Sequence, residues 1–400
     1  MTSIRNLFLQ NVAQTSELPL MLEIERAEGM YIWDKHGKKY MDLNSGISVS
    51  SLGHRHPNVV HAIIQQTNKY LHTMVYGEHI QQVQVAYAKK LIDILDNGLD
   101  RVYYLMTGTE AVELAMKLAR KYTGKQEIIS CANAYHGSTL GAESLRSDYE
   151  FSRAFFPGIP GIRHIRFNHE EDLEKITCRT AAVITEPVQA ESGVQPPCNN
   201  YLQKLSKRCK EMDCLLVLDE IQTGFGRTGH WFAHKKYDVV PDILLIAKSM
   251  GGGMPIGAVV APQKIMNSII KNPALGHITT FGGHPVSVAS ALATLETLQE
   301  EKIISTVLEK EAIFRKRLVH PIIAEVRSSG MMMAVELKRR KYLKHVVGHT
   351  IKNGALIDYF LFNNKSFRLA PPLIISEAEI HEACDKLLAA CEYAMKLYDK

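Results

Sequence analysis

The middle of the chain alternates short apolar runs with helical patterns, and this alternation constrains the fold more than any other feature. Val102–Met106, Glu127–Cys131, Ala181–Thr185, Leu215–Leu218, Ile243–Ala247 and Gly257–Ala261 are strand-length apolar runs. Helical patterns run from Glu110 to about Tyr122 and around Tyr201–Met212. Strands with helices between them need crossover connections, so they line up mostly parallel in a sheet covered on both faces. The expected class is α/β: a large domain whose mostly parallel sheet is sandwiched by helices.

The ends read differently. Tyr31–Asp42 has the pattern of a hairpin turning at His36-Gly37. Ala289–Val319 reads as one long helical stretch, followed by a strand at Met331–Leu337. We therefore expect residues 50–290 to form the large domain, and residues 1–49 with 291–400 a smaller α+β domain built from both chain ends. A chain of 400 residues is long enough for two cores. With 46% hydrophobic and 22% charged residues, disorder is excluded. A net charge of +5 is spread out. The densest basic run, Lys338-Arg339-Arg340-Lys341, has no interleaved stacking aromatics, so no nucleic-acid partner is expected. Seven cysteines include no C-x-x-C pair, which favours reduced thiols in a cytoplasm over a disulfide framework. No apolar stretch approaches the roughly 18 residues of a membrane helix. His54-Arg55-His56 has no third ligand near it in sequence and reads as a turn before Pro57, so no metal is expected.

Five stretches are candidates for chemistry. In Thr107–Arg120 a strand ends, Gly108 turns the chain, and a helix begins. Free N–H groups and the positive end of the helix dipole suit a phosphate there, with Thr109 adding a hydroxyl, although a plain N-cap uses the same residues. Asp219 ends the apolar run Val217–Leu218, which puts a carboxylate at the sheet's carboxyl edge, where α/β ligand sites lie. Lys248 closes another apolar run and is followed by Gly251-Gly252-Gly253. A lysine in apolar surroundings loses proton affinity and becomes a usable amine nucleophile, although most lysines reach solvent. Tyr135, after the Glu127–Cys131 strand, has a ring able to stack on a flat ligand. Thr279–Gly283 is either a turn or a further phosphate contact. Gly224–Gly229 spells G-x-G-x-x-G, yet Gly224 lies six residues beyond Leu218 and His230-Trp231-Phe232 is a poor helix opening. A dinucleotide site needs the first glycine directly after the strand.

A phosphate cradle, a strand-end acid, a strand-end lysine and a stacking aromatic are the parts that pyridoxal 5'-phosphate requires. Its aldehyde needs an amine, and its ring nitrogen needs an anion to stay protonated. The stretches Leu52–Pro57, Thr107–Glu113, Tyr135–Gly137, Thr185–Gly193, Val217–Gly229, Ala247–Ala258, Thr279–Pro285 and Arg368–Leu373 carry a resemblance from about Tyr31 to Pro372. The chain resembles the class III aminotransferases of pyridoxal-phosphate fold type I, and within them the ornithine and acetylornithine group.

The resemblance implies roles. Lys248 forms the Schiff base, Asp219 pairs with the pyridine nitrogen, and Gln222 faces the phenolic oxygen. Gly108 and Thr109 bind the phosphate, and Tyr135 stacks on the ring. Thr280 reaches the phosphate of a neighbouring subunit, which implies a homodimer. Arg368 binds a substrate carboxylate, with Glu191 able to neutralise it. The reaction implied is ping-pong transfer of an amino group from an amino acid or ω-amine to a keto acid such as 2-oxoglutarate. The sequence departs from the group at Ser138, where relatives usually carry an arginine that grips a substrate carboxylate. Serine cannot make that bidentate pair. A decarboxylase or aminomutase on the same fold, and a nicotinamide-dependent dehydrogenase, are the rival readings.

Overall fold

The structure is a computed structural model and describes residues 3–398. Seven strands form the central sheet: β1 (Arg101–Leu105), β2 (Glu127–Cys131), β3 (Ile162–Ile165), β4 (Thr180–Thr185), β5 (Leu215–Asp219), β6 (Ile243–Ile246) and β7 (Gly257–Ala261). Their spatial order is β1-β7-β6-β5-β4-β2-β3. All neighbours pair in parallel except β7, which runs antiparallel to both β1 and β6. β4 to β7 are buried along their whole length, as strands covered on both faces must be. The edge strands β1 and β3 keep partly exposed residues and tolerate Arg101, Arg163 and His164. β3 is too polar to stand out among the apolar runs and was not expected from the sequence.

Helix α1 (Gly108–Thr123) packs on one sheet face through Val112, Leu114, Met116 and Leu118 among others. Each fully buried large side chain contributes about 1.5–3 kcal/mol. A capping box starts the helix: Glu110 N–H donates to Thr107 Oγ1, and Thr107 N–H donates to the Glu110 carboxylate. Gly124 ends it in the left-handed conformation.

Two further sheets flank this one. The expected hairpin forms from Tyr31–Asp34 and Lys39–Asp42, joined by Ile24–Glu28 and, in parallel, by Ala355–Leu356. β8 (Ile323–Ser329), β9 (Met332–Leu337), β10 (Asp358–Tyr359) and β11 (Ser366–Leu369) form an antiparallel sheet in the order β8-β9-β11-β10. The long helix expected over Ala289–Val319 is instead two, Pro285–Glu300 and Val307–Arg317. Lys302 takes a positive φ of 51° between them, which ends the first helix and turns the chain into a short 3-10 segment.

Arg227, inside the glycine-spaced stretch, is fully buried. It donates to the carbonyls of Met331 and Pro371 (3.1 and 2.5 Å) and to Ser51 Oγ (3.1 Å). Burial pushes its guanidinium down to about 9, with Asp42 pulling the other way. It thus ties the loop after β5 to the antiparallel sheet and to the N-terminal segment. Arg227→Met is expected to destabilise the fold by about 3 kcal/mol, because two main-chain acceptors lose their donor. Denaturant unfolding measures this; a loss under about 1 kcal/mol would mean that other donors replace the guanidinium.

Candidate active site

The carboxyl ends of the parallel strands converge on a cavity of about 510 Å³, as expected for an open α/β sheet. Its walls include Gly108, Thr109, Tyr135, Ser138, Glu191, Asp219, Gln222 and Lys248. Seven of the nine residues singled out from the sequence therefore meet around it, Glu191 among them. Arg368 lies one layer back and touches the wall through Glu191. Thr280 is exposed and lies outside the cavity of its own chain.

Each side chain has a local reason for its place. β6 ends at Ile246, and Lys248 takes a φ of 48°, a left-handed conformation costly for a residue with a Cβ. The turn keeps Lys248 on the cavity wall, half-buried. Burial holds its amine below the ordinary lysine range; Glu191, Asp219 and Glu186 oppose that effect, and Arg368 adds to it. At α1, Glu110 N–H is taken by Thr107 Oγ1 and Ala111 N–H by Thr107 O. The N–H groups of Gly108 and Thr109 remain as the first turn's open donors. A Cβ on Gly108 would stand 2.8 Å from Ile221 Cδ1, so a larger residue there would have to push the Ile221 side chain aside.

Asp219 ends β5 and is 3% exposed. Its Oδ1 accepts from Ile221 N–H (3.0 Å), and its Oδ2 lies 2.7 Å from His136 Nδ1. Burial alone would lower the His136 pKa, but the Asp219 hydrogen bond and charge outweigh it and raise the value above the ordinary imidazole range. Glu186, just past β4, accepts from the N–H groups of Tyr135 and Ala190 (3.4 and 3.0 Å). Burial pushes its carboxyl up to about 7; Asp219 and Glu191 add to the rise, and His136 opposes it. His136 and Glu186 were not expected as site residues. His136 sits inside the quoted Tyr135–Gly137 motif, and Glu186 follows an apolar run as Asp219 does, so both had a signal.

On the outer side, Arg368 in β11 donates from Nη2 to both Glu191 oxygens at 2.7 Å. Glu191 Oε2 also accepts from Leu361 N–H (3.1 Å), and the guanidinium sits 4.7 Å from the Phe360 ring centre. Ser138 is exposed at the mouth, with its Oγ 3.1 Å from the Tyr135 hydroxyl.

The donor set fits a phosphorylated pyridine aldehyde. It offers an N-terminal anion cradle, an amine, a buried carboxylate and a flat aromatic. Gln222 Oε1 is buried and unpartnered, an orphan polar group that a ligand in the cavity would satisfy. The glycine-spaced stretch Gly224–Gly229 lies in turns, without the strand-to-helix step of a dinucleotide site.

This arrangement is that of an aminotransferase, and the chain belongs to the class III aminotransferase family, whose model matches residues 12–391. Within the family, it is 38% identical over 375 residues to acetylornithine aminotransferase of Methanocaldococcus jannaschii, covering 91% of each chain. It is 35% identical to the acetylornithine aminotransferase of Clostridium acetobutylicum, covering 93% of this chain and 96% of that one. Among solved structures, ornithine aminotransferase of Toxoplasma gondii matches with a TM-score of 0.91 at 31% identity, covering 98% of this chain and 94% of that one. N-acetylornithine aminotransferase of Stenotrophomonas maltophilia matches at 0.81 with 30% identity, covering 95% and 98%. Among the described residues no helix is long and apolar enough to cross a membrane.

Proposed function

We propose that this aminotransferase uses pyridoxal 5'-phosphate to carry an amino group from an amino acid or ω-amine to a keto acid, 2-oxoglutarate foremost, in two alternating half-reactions. The observation that carries this reading is the convergence of Lys248, Asp219, Gln222, Tyr135 and the Gly108-Thr109 cradle on one cavity. When bound, the cofactor supplies a carbonyl that captures amines and a protonated ring that withdraws electrons.

The chain's residues do the rest. Gly108 and Thr109 hold the phosphate, Tyr135 covers the ring face, and Gln222 faces the phenolic oxygen. Asp219 keeps the ring nitrogen protonated, and His136 orients that carboxylate. With Glu186 near neutrality, the pocket avoids a further full negative charge beside Asp219. The lowered proton affinity of Lys248 leaves its Nζ available as a nucleophile. Once freed by the donor amine, Lys248 Nζ would take the proton from the donor's carbon and deliver it to the carbon that receives the amino group.

Arg368 serves substrate choice. Held by Glu191, the pair presents no net charge to a donor. When Glu191 lets go, the guanidinium can grip the second carboxylate of 2-oxoglutarate. Arg368→Ala is expected to raise KM for 2-oxoglutarate by about 10- to 100-fold, the worth of a charge-assisted hydrogen-bond pair. KM for pyruvate should move far less. Equal losses for both acceptors would remove Arg368 from this role.

A homodimer of the chain completes the reading. Thr280 is exposed beside Ile278 and Phe281, and Ile80 is 95% exposed with Leu71 and Met74 nearby in sequence. Apolar surface of this kind favours a protein partner, and Thr280 would then reach the other subunit's phosphate. Division into a 50–290 domain and a second domain from both ends, and residence in a reducing cytoplasm with all seven cysteines free, belong to the same proposal. The test is a panel of amino donors against 2-oxoglutarate and pyruvate. Amino transfer from at least one donor is expected. Cofactor binding without transfer from any donor would point to another reaction on this fold.

A further inference from the structure

Thr109 does not stand alone in the phosphate cradle. Its Oγ1 lies 2.8 Å from Thr139 Oγ1 and accepts from Thr139 N–H at 3.3 Å. Thr139 Oγ1 donates in turn to Glu113 Oε1 at 2.5 Å, and the same oxygen accepts Ala142 N–H at 3.1 Å. A hydroxyl has one proton to give. Thr139 gives its proton to Glu113, so in the 2.8 Å contact it accepts and Thr109 donates. The Thr109 oxygen is therefore fixed by a main-chain N–H, while its proton rests on an acceptor with no other call on it. Turning that proton from Thr139 to a phosphate oxygen breaks neither the Glu113 contact nor the Thr139 N–H contact.

Packing holds the chain of contacts in place. Gly137 has a φ of 131°, and a Cβ there would stand 2.2 Å from Thr109 Oγ1. A Cβ on Gly141 would stand 2.3 Å from Glu113 Oε2. The loop carrying Tyr135 and His136 is thus pressed onto the first turns of α1 at the point where Thr139 joins them.

We propose that Thr139, held by Glu113, is a positioning residue for phosphate binding: it fixes the Thr109 hydroxyl so that its proton can swing to the cofactor's phosphate. The proposal rests on the pyridoxal phosphate reading above. The test is equilibrium binding to apoenzyme, followed by absorbance, with pyridoxal 5'-phosphate and with pyridoxal, which lacks the phosphate. Thr139→Val keeps the shape and removes the hydroxyl. It cuts the tether to Glu113 that keeps the Thr139 N–H on the Thr109 oxygen, so it should weaken pyridoxal 5'-phosphate about tenfold by loosening the Thr109 contact, and leave pyridoxal within about twofold. Thr139→Ser should restore the wild-type ratio between the two ligands. Equal weakening of both ligands, or no weakening of either, overturns the proposal. If the valine variant does not fold, the ratio is read on Thr139→Ala with the same expectations. A wild-type chain that binds neither ligand overturns the cofactor reading itself, whereas wild-type binding with an unaltered ratio in the variants overturns only the role of Thr139.

Discussion

Lys248→Ala should abolish the adduct that borohydride reduces and slow turnover on the order of 10⁴-fold, the upper range for loss of a general acid–base group. The cradle at Gly108-Thr109, the Asp219 carboxylate and Gln222 all remain, so the variant should still bind pyridoxal 5'-phosphate. What it lacks is the amine that captures the carbonyl and the base that moves the proton. Mass spectrometry after reduction reads the first loss, and single-turnover kinetics the second. An adduct that survives the substitution would assign the covalent role to another lysine. Added methylamine should recover a small part of the rate, because the amine is deleted and its surroundings are kept.

Asp219→Ala comes next in size. Deleting a preorganised charge from a water-poor site costs about 10²- to 10³-fold in turnover. Cofactor should still bind, since its phosphate and aldehyde contacts do not involve Asp219. His136 responds as well: its raised proton affinity depends on Asp219, and burial alone pulls the other way. In the variant the proton affinity of His136 should therefore fall, with Glu186 left as the remaining charge that raises it. Turnover measured at full cofactor occupancy tests the role; a rate near wild type would free Asp219 from it.

Much of this site could be read from the chain because strand-end residues announce themselves. An apolar run that stops at a charged residue places that residue at a sheet edge, and this holds for both Asp219 and Lys248. The open first turn of α1 was legible for the same local reason, since the turn, the hydroxyl and the helix start are contiguous. Partnerships were not legible. His136 is 83 residues from Asp219, and Glu191 is 177 from Arg368, so no local pattern links either pair. Strand direction was hidden too: Gly257–Ala261 reads as apolar whether β7 runs with its neighbours or against them. The break at Lys302 escaped notice because the residues on both sides, Glu300-Glu301 and Lys302-Ile303, fit a continuous helix, and only the backbone turn separates them.

The Arg368–Glu191 pair spans two mountings. Arg368 stands on the antiparallel sheet, paired across from Ala334, whereas Asp219 and Lys248 follow from strands of the seven-stranded sheet. On the proposed reading, the electron sink thus stands on one piece of scaffold, whereas the choice of substrate is shared between two. Descendants of such a chain can change their diet without relearning their chemistry: drift around Ser138, Glu191 and β11 explores new amines while the strand ends that hold the cofactor stay as they are.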